Sequence, residues 1–98
     1  MDLEHLTATS FRPHLNTLFV ATQVNDLGLE LIEVELLRGD DDRSFSLVFR
    51  EAGPHSLGQG TYALSHPTLG ELPLFLTPII PDLQGRGRYE SLFNRTGS

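Results

Sequence analysis

Cysteine is absent from this chain of 98 residues, which excludes a disulfide framework, a thiolate nucleophile and Cys-ligated zinc or iron–sulfur centres. Lysine is absent too, so Arg supplies all 7 bases against 13 acids, for a net charge of −6. That balance disfavours nucleic acid and anionic lipid, and neither a nucleic-acid nor a membrane partner is expected. Long hydrophobic runs are also missing. The longest, residues 72–81, is about half a membrane span and is interrupted by Pro73 and Pro78. The opening Met1-Asp2-Leu3-Glu4-His5-Leu6 has no basic stretch with an apolar one behind it, so no leader is expected and the chain reads as soluble and cytoplasmic. What is present is ample apolar material, 39% of the residues. That is too much for a disordered chain and, at this length, suits one domain spanning 1–98.

Thr7 can cap a short helix over residues 7–12, which Pro13 ends by disfavouring helical geometry in the residue before it. The capping box reads as incomplete, because Ser10 stands where Glu or Gln would reach back. So short a helix needs Leu3, Leu6 and Phe11 packed against something else. Residues 17–24 then alternate with period two as a first strand, and Asn25-Asp26-Leu27-Gly28 supplies turn chemistry. Residues 29–38 are ambiguous, since Leu and Glu favour a helix. Leu29 and Leu31 keep one alternating phase, however, and Ile32, Val34 and Leu36 keep the other, as a strand with a bulge near Leu31-Ile32 would. The strand is adopted, with a helix as the alternative.

Residues 44–51 alternate most clearly, with Phe45, Leu47 and Phe49 inward and Ser44, Ser46, Val48 and Arg50 outward. Residues 52–59 make a loop longer than a usual hairpin connection, a candidate functional loop. Residues 60–66 and 71–77 pair across His66-Pro67-Thr68-Leu69-Gly70, where Pro67 fits a turn and Gly70 a left-handed exit. Residues 88–94 form a last strand, and 95–98 read as a frayed tail. The expected fold class is mainly β, a small antiparallel β-barrel of about six hairpin-connected strands with a short N-terminal helix, preferred over a two-layer sandwich. No internal repeat is visible.

Motifs for chemistry are sparse. Asp40-Asp41-Asp42 lacks the alternate carboxylates and the twelfth-position Glu of a calcium loop and reads as a solvated turn. His5, His14, His55 and His66 show no metal-ligand spacing, so no metal or cofactor is expected. Gly58-Gln59-Gly60 and Gly85-Arg86-Gly87 lack the context of phosphate loops and read as turns. No nucleophile elbow is present, and the chain is read as a non-enzyme. The informative stretch is Leu72-Pro73-Leu74-Phe75-Leu76-Thr77-Pro78-Ile79-Ile80, whose prolines suggest an edge strand or a strand that leaves the sheet near one of them, and whose Phe75, Ile79 and Ile80 need a second cover.

The run from Gln59-Gly60-Thr61-Tyr62 through His66-Pro67-Thr68-Leu69-Gly70 to Leu74-Phe75-Leu76, with Phe45-Ser46-Leu47 before it and Arg88-Tyr89-Glu90-Ser91-Leu92-Phe93-Asn94 after it, resembles a family of small bacterial proteins of unassigned function. The likeness is nearly end to end. That family is associated with gene neighbourhoods encoding phage-tail-collar-like and tail-fibre-like proteins, so the resemblance implies an accessory, structural or assembly role. It brings no catalytic residues with it. The leading expectation is a protein-interaction module that binds a tail-fibre-like or collar-like protein, or a second copy of itself, through Leu3, Leu6, Phe11, Phe75, Ile79 and Ile80. The alternative is a small-molecule barrel lined by Tyr62, His66 and Tyr89. A third is a hydrolase or isomerase using His55 or His66 with an acid.

Overall fold

The computed structural model describes residues 6–54 and 56–94. Helix α1 (Ala8–Phe11) runs into a 3-10 turn (Arg12–His14). Six strands follow: β1 (Leu18–Ala21), β2 (Leu27–Leu36), β3 (Ser44–Glu51), β4 (Gly60–His66), β5 (Gly70–Ile79) and β6 (Arg88–Asn94). All pairings are antiparallel and close a barrel in the order β1-β2-β3-β6-β5-β4. The expected fold class is the one the chain adopts.

Local chemistry sets the boundaries. β1 stops at Ala21 rather than 24, because Val24 N–H donates to Ala21 C=O at 3.1 Å and Leu27 N–H to Val24 C=O at 3.1 Å. Asn25 and Asp26 take φ of 52° and 55° in that turn, a conformation their short polar side chains tolerate, whereas Leu27 and Gly28 already belong to β2. Along β2 the register passes from Leu31 opposite Phe49 to Glu33 opposite Val48. Ile32 is the extra residue of a bulge, which turns Leu29, Leu31, Val34 and Leu36 all inward and rules out the helical alternative. Gly70 takes the left-handed exit of the β4–β5 hairpin with φ 80°.

A helix as short as α1 survives by borrowing hydrogen bonds. Thr7 N–H donates to Ser10 Oγ at 3.0 Å, so Ser10 does what a Glu or Gln was expected to do. Ala8 N–H reaches Asp42 C=O at 2.9 Å and Thr9 N–H reaches Asp42 Oδ1 at 3.0 Å, which satisfies donors that a helix start leaves without partners. Pro13 lies within the 3-10 turn instead of ending the helix at 12.

The barrel is filled by its own side chains. Phe11, Phe19, Phe45, Phe49, Tyr89 and seven Leu residues are fully buried. On β3 the outward-facing Ser44, Ser46 and Val48 are buried as well.

Two expectations need correction. The strands are not all hairpin-connected: β3 and β4 lie on opposite sides of the ring, so residues 52–59 must cross one mouth of the barrel, which is why that loop is long. Nor is β5 an edge strand. It pairs with β4 over Gly70–Leu76 and with β6 over Thr77–Ile79. Ala63, opposite Pro73, gives its N–H to Gln23 Oε1 at 3.0 Å, so this is a pair without ladder hydrogen bonds and the Pro73 nitrogen faces the β6 side. The β5–β6 ladder has not begun there. Pro78 faces the other way, beyond the end of the β4 ladder. Each proline therefore stands where no donor is called for, and a closed barrel accommodates both.

Candidate functional site

Loop 52–59 closes one end through a polar hub. Tyr89, fully buried on β6, donates its hydroxyl hydrogen to Glu51 Oε1 and accepts the N–H groups of Ser56 and Leu57, each at 3.0 Å. Ser56 also gives its N–H to Glu51 Oε1 at 2.9 Å and its hydroxyl to Oε2 at 2.8 Å, and Leu57 is buried beneath it. Burial, followed by the hydrogen bond to Glu51, pushes the Tyr89 phenol above its usual 10.0, so the group stays a donor at neutral pH. The hub ties down a loop and leaves no reactive group facing a space.

The same end carries a network of bases and acids. Arg50 Nη2 donates to Glu30 Oε1 at 2.9 Å, and Arg50 Nη1 lies 3.7 Å from Asp82 Oδ2. Asp82 Oδ1 accepts from Gln84 and Arg86 N–H groups at 3.0 and 2.8 Å, shaping the β5–β6 loop. Arg86 and Arg88 point their Nε donors at Glu51 C=O (3.3 Å) and Ile80 C=O (2.8 Å). The Gly85-Arg86-Gly87-Arg88 segment is thus turn construction, with Gly85 at φ 78°.

The opposite end is stopped by α1 and the 3-10 turn. The Phe11 ring sits 5.7 Å from that of Phe45 and 5.8 Å from that of Phe93, and the latter two stack at 4.5 Å. Beside them His66 is buried, its ring 4.5 Å from Phe19 and edge-on to His14 at 4.6 Å. His66 Nδ1 accepts from Thr68 and Leu69 N–H groups at 3.1 and 3.3 Å. The neutral ring therefore carries its proton on Nε2, which lies 3.1 Å from Thr17 Oγ1, and Thr17 passes its own hydrogen to His14 C=O at 2.6 Å. Burial first, and then the charge of His14, lowers the His66 pKa from 6.5. With Nδ1 holding the β4–β5 turn and Nε2 bonded to Thr17 ahead of β1, this ring has no free position for a metal or a substrate.

These placements separate the sequence candidates. His66 stands at the helix end and Tyr89 at the loop end, while Tyr62 donates its hydroxyl to Gly58 C=O at 2.7 Å, so the three line no common space. No cavity exists among the described residues, nor does any cluster of three potential metal ligands. Leu6 and Phe11 are core residues and offer nothing to a partner. Phe75 is 50% exposed and Ile80 79%, with Ile79 half-buried. Leu3, His5, His55 and residues 95–98 lie outside the described residues. Sequence reasoning missed Leu92, 60% exposed on the outer wall, and also Asp42, whose role in anchoring α1 leaves no local pattern. None of the described helices is long and apolar enough to cross a membrane.

A family model described as domain of unknown function (DUF6916) matches residues 6–93. No curated protein and no solved structure matches the chain.

Proposed function

This chain belongs to the family described as domain of unknown function DUF6916, and from that premise we propose that it is a non-enzymatic protein-interaction module working through the outer wall of its barrel. One observation carries the reading: side chains of the protein itself stop both mouths with no cavity among the described residues, while Phe75 and Ile80 stand exposed outside. A barrel of this strand number has little interior to offer a ligand, and large exposed apolar groups favour a protein partner. A tail-fibre-like or collar-like structural protein is the first partner to test, on the strength of the resemblance described above.

The test is capture from an extract of the source cells with tagged wild-type, Phe75→Asp and Ile80→Asp proteins, each checked for an unchanged melting curve. One stoichiometric protein held by the wild type and lost by a folded variant supports the reading. A folded Phe75→Asp that retains everything the wild type retains would sink it.

A further inference from the structure

The wall of the barrel divides into two arcs of different charge. On β2, β3 and β6, which lie side by side in the ring, the outward positions carry Glu30, Glu33, Glu35, Arg50, Arg88 and Glu90. On β5, β4 and β1, neighbours on the other side, the outward positions carry one charged residue among those described, Glu71. Registered pairs make this second arc continuous. Val20 stands opposite Ser65 and Ser65 opposite Glu71, while Ala63 pairs with Pro73 and Thr61 with Phe75. Each of these side chains alternates along its strand with one packed into the core, and none of them is itself buried. Leu18, exposed opposite Glu30, marks one margin of the arc, and Thr77 opposite Glu90 the other.

Resting on the interaction reading above, we infer that the β5-β4-β1 arc docks a second copy of this chain in a two-fold dimer, with Phe75 as its main apolar contact. The division of charge selects the occupant. At a net charge of −6 two copies repel one another, and contact through the Glu-rich arc would set acids against acids. The β5-β4-β1 arc lets the same patch meet itself, as a two-fold interface requires, with little charge to desolvate. A foreign partner selected by charge would use the other arc, because this one offers it no sign to read. Three strands at a spacing of about 4.8 Å, the central one 7 residues long at about 3.4 Å each, give a face of roughly 14 by 24 Å. That is small beside the roughly 800 Å² per partner of a standard interface, so the dimer forms at micromolar concentration and comes apart on dilution.

The test is sedimentation equilibrium of the whole chain from low micromolar to near-millimolar concentration. The wild type is expected to pass from monomer to dimer and no further. Raising the salt should tighten the dimer, since screening relieves the repulsion between two acidic chains. Phe75→Asp and Thr61→Arg, each checked for an unchanged melting curve, should raise the dissociation constant about tenfold or more by placing a charge in the contact. Glu33→Gln, on the other arc, should not weaken it. A monomer at every concentration, a dimer that salt weakens, growth beyond the dimer, wild-type affinity in either folded variant, or dissociation on Glu33→Gln would each overturn the inference. If the wild type stays monomeric yet captures a cellular protein that Phe75→Asp loses, the dimer fails and the interaction reading stands; if Phe75→Asp alters neither self-association nor capture, both fail.

Discussion

At the helix end the barrel is stopped by hydrocarbon: Phe11 wedges against Phe45 and Phe93, and the buried imidazole of His66 beside them is neutral. At the loop end it is stopped by a carboxylate, a phenol and two backbone amides held together by hydrogen bonds. An apolar plug draws its stability from area and fit, whereas a polar one is specific but depends on every member being satisfied. One sheet therefore carries two closures that should fail under different conditions.

The largest expected effect is at the apolar end. Phe11→Ala should cost about 3–5 kcal/mol, as truncating a buried Phe does, read as a lower denaturation midpoint. At the polar end, Tyr89→Phe keeps the ring but removes the hub, leaving the buried Glu51 short of a donor, and should cost about 1–3 kcal/mol. Amide exchange should then quicken at Ser56 and Leu57 and stay unchanged at Phe45; equal quickening at both places would mean that the two closures are not independent.

Next comes a titration that pulls the ends apart. The His66 pKa is lowered in the folded protein, so its contribution is complete above 6.5 and is lost as the pH falls through the folded value. The Tyr89 pKa is raised above 10.0, so its contribution is complete below 10.0 and is lost as the pH rises through the folded value. Acid should loosen the helix end first and alkali the loop end. Melting curves of His66→Gln should lack the wild-type decline just below 6.5, and a decline that persists would assign it to other groups. At still lower pH, burial raises the Asp42 carboxyl, but hydrogen bonds from Thr7 and Thr9 together with Arg12 hold it below 3.8. Its anchorage of α1 is thus lost only as the pH falls through that lower value. The smallest effect is expected for Glu30→Gln on the outer wall beside the polar end, where a partly exposed pair with Arg50 is worth roughly 0.5–1 kcal/mol.

The same contrast governs what could be read before the fold was known. Alternation exposed β3, the phase break at Leu31-Ile32 exposed the bulge, and Pro67 with Gly70 exposed the hairpin, because each of these is local. The hub was not legible: Glu51 and Tyr89 are far apart in sequence, and neither sits in a recognisable motif. The proline rule misled at β5 because it assumes that a strand has the same neighbours along its whole length, whereas β5 exchanges β4 for β6 between Pro73 and Pro78. Leu6 and Phe11 were sound as packing residues and mistaken as a partner surface, since helical amphipathicity indicates that a face is covered without saying by what. Phe75 was singled out as needing cover.

The loop that crosses the barrel mouth bears on the order of events in time. It divides the chain into two three-stranded meanders, β1-β2-β3 and β4-β5-β6, which the ring order makes interchangeable although their sequences do not repeat. Each meander can assemble through short-range hairpins, but the ladders that close the ring join distant residues, Val20 to Ser65 and Ser44 to Asn94. Long-range pairings carry the loop-closure entropy that slows folding. Closure of the ring, rather than formation of any strand, is then the step that sets the pace, and a chain with a longer crossing should fold more slowly while its hairpins form as fast as before.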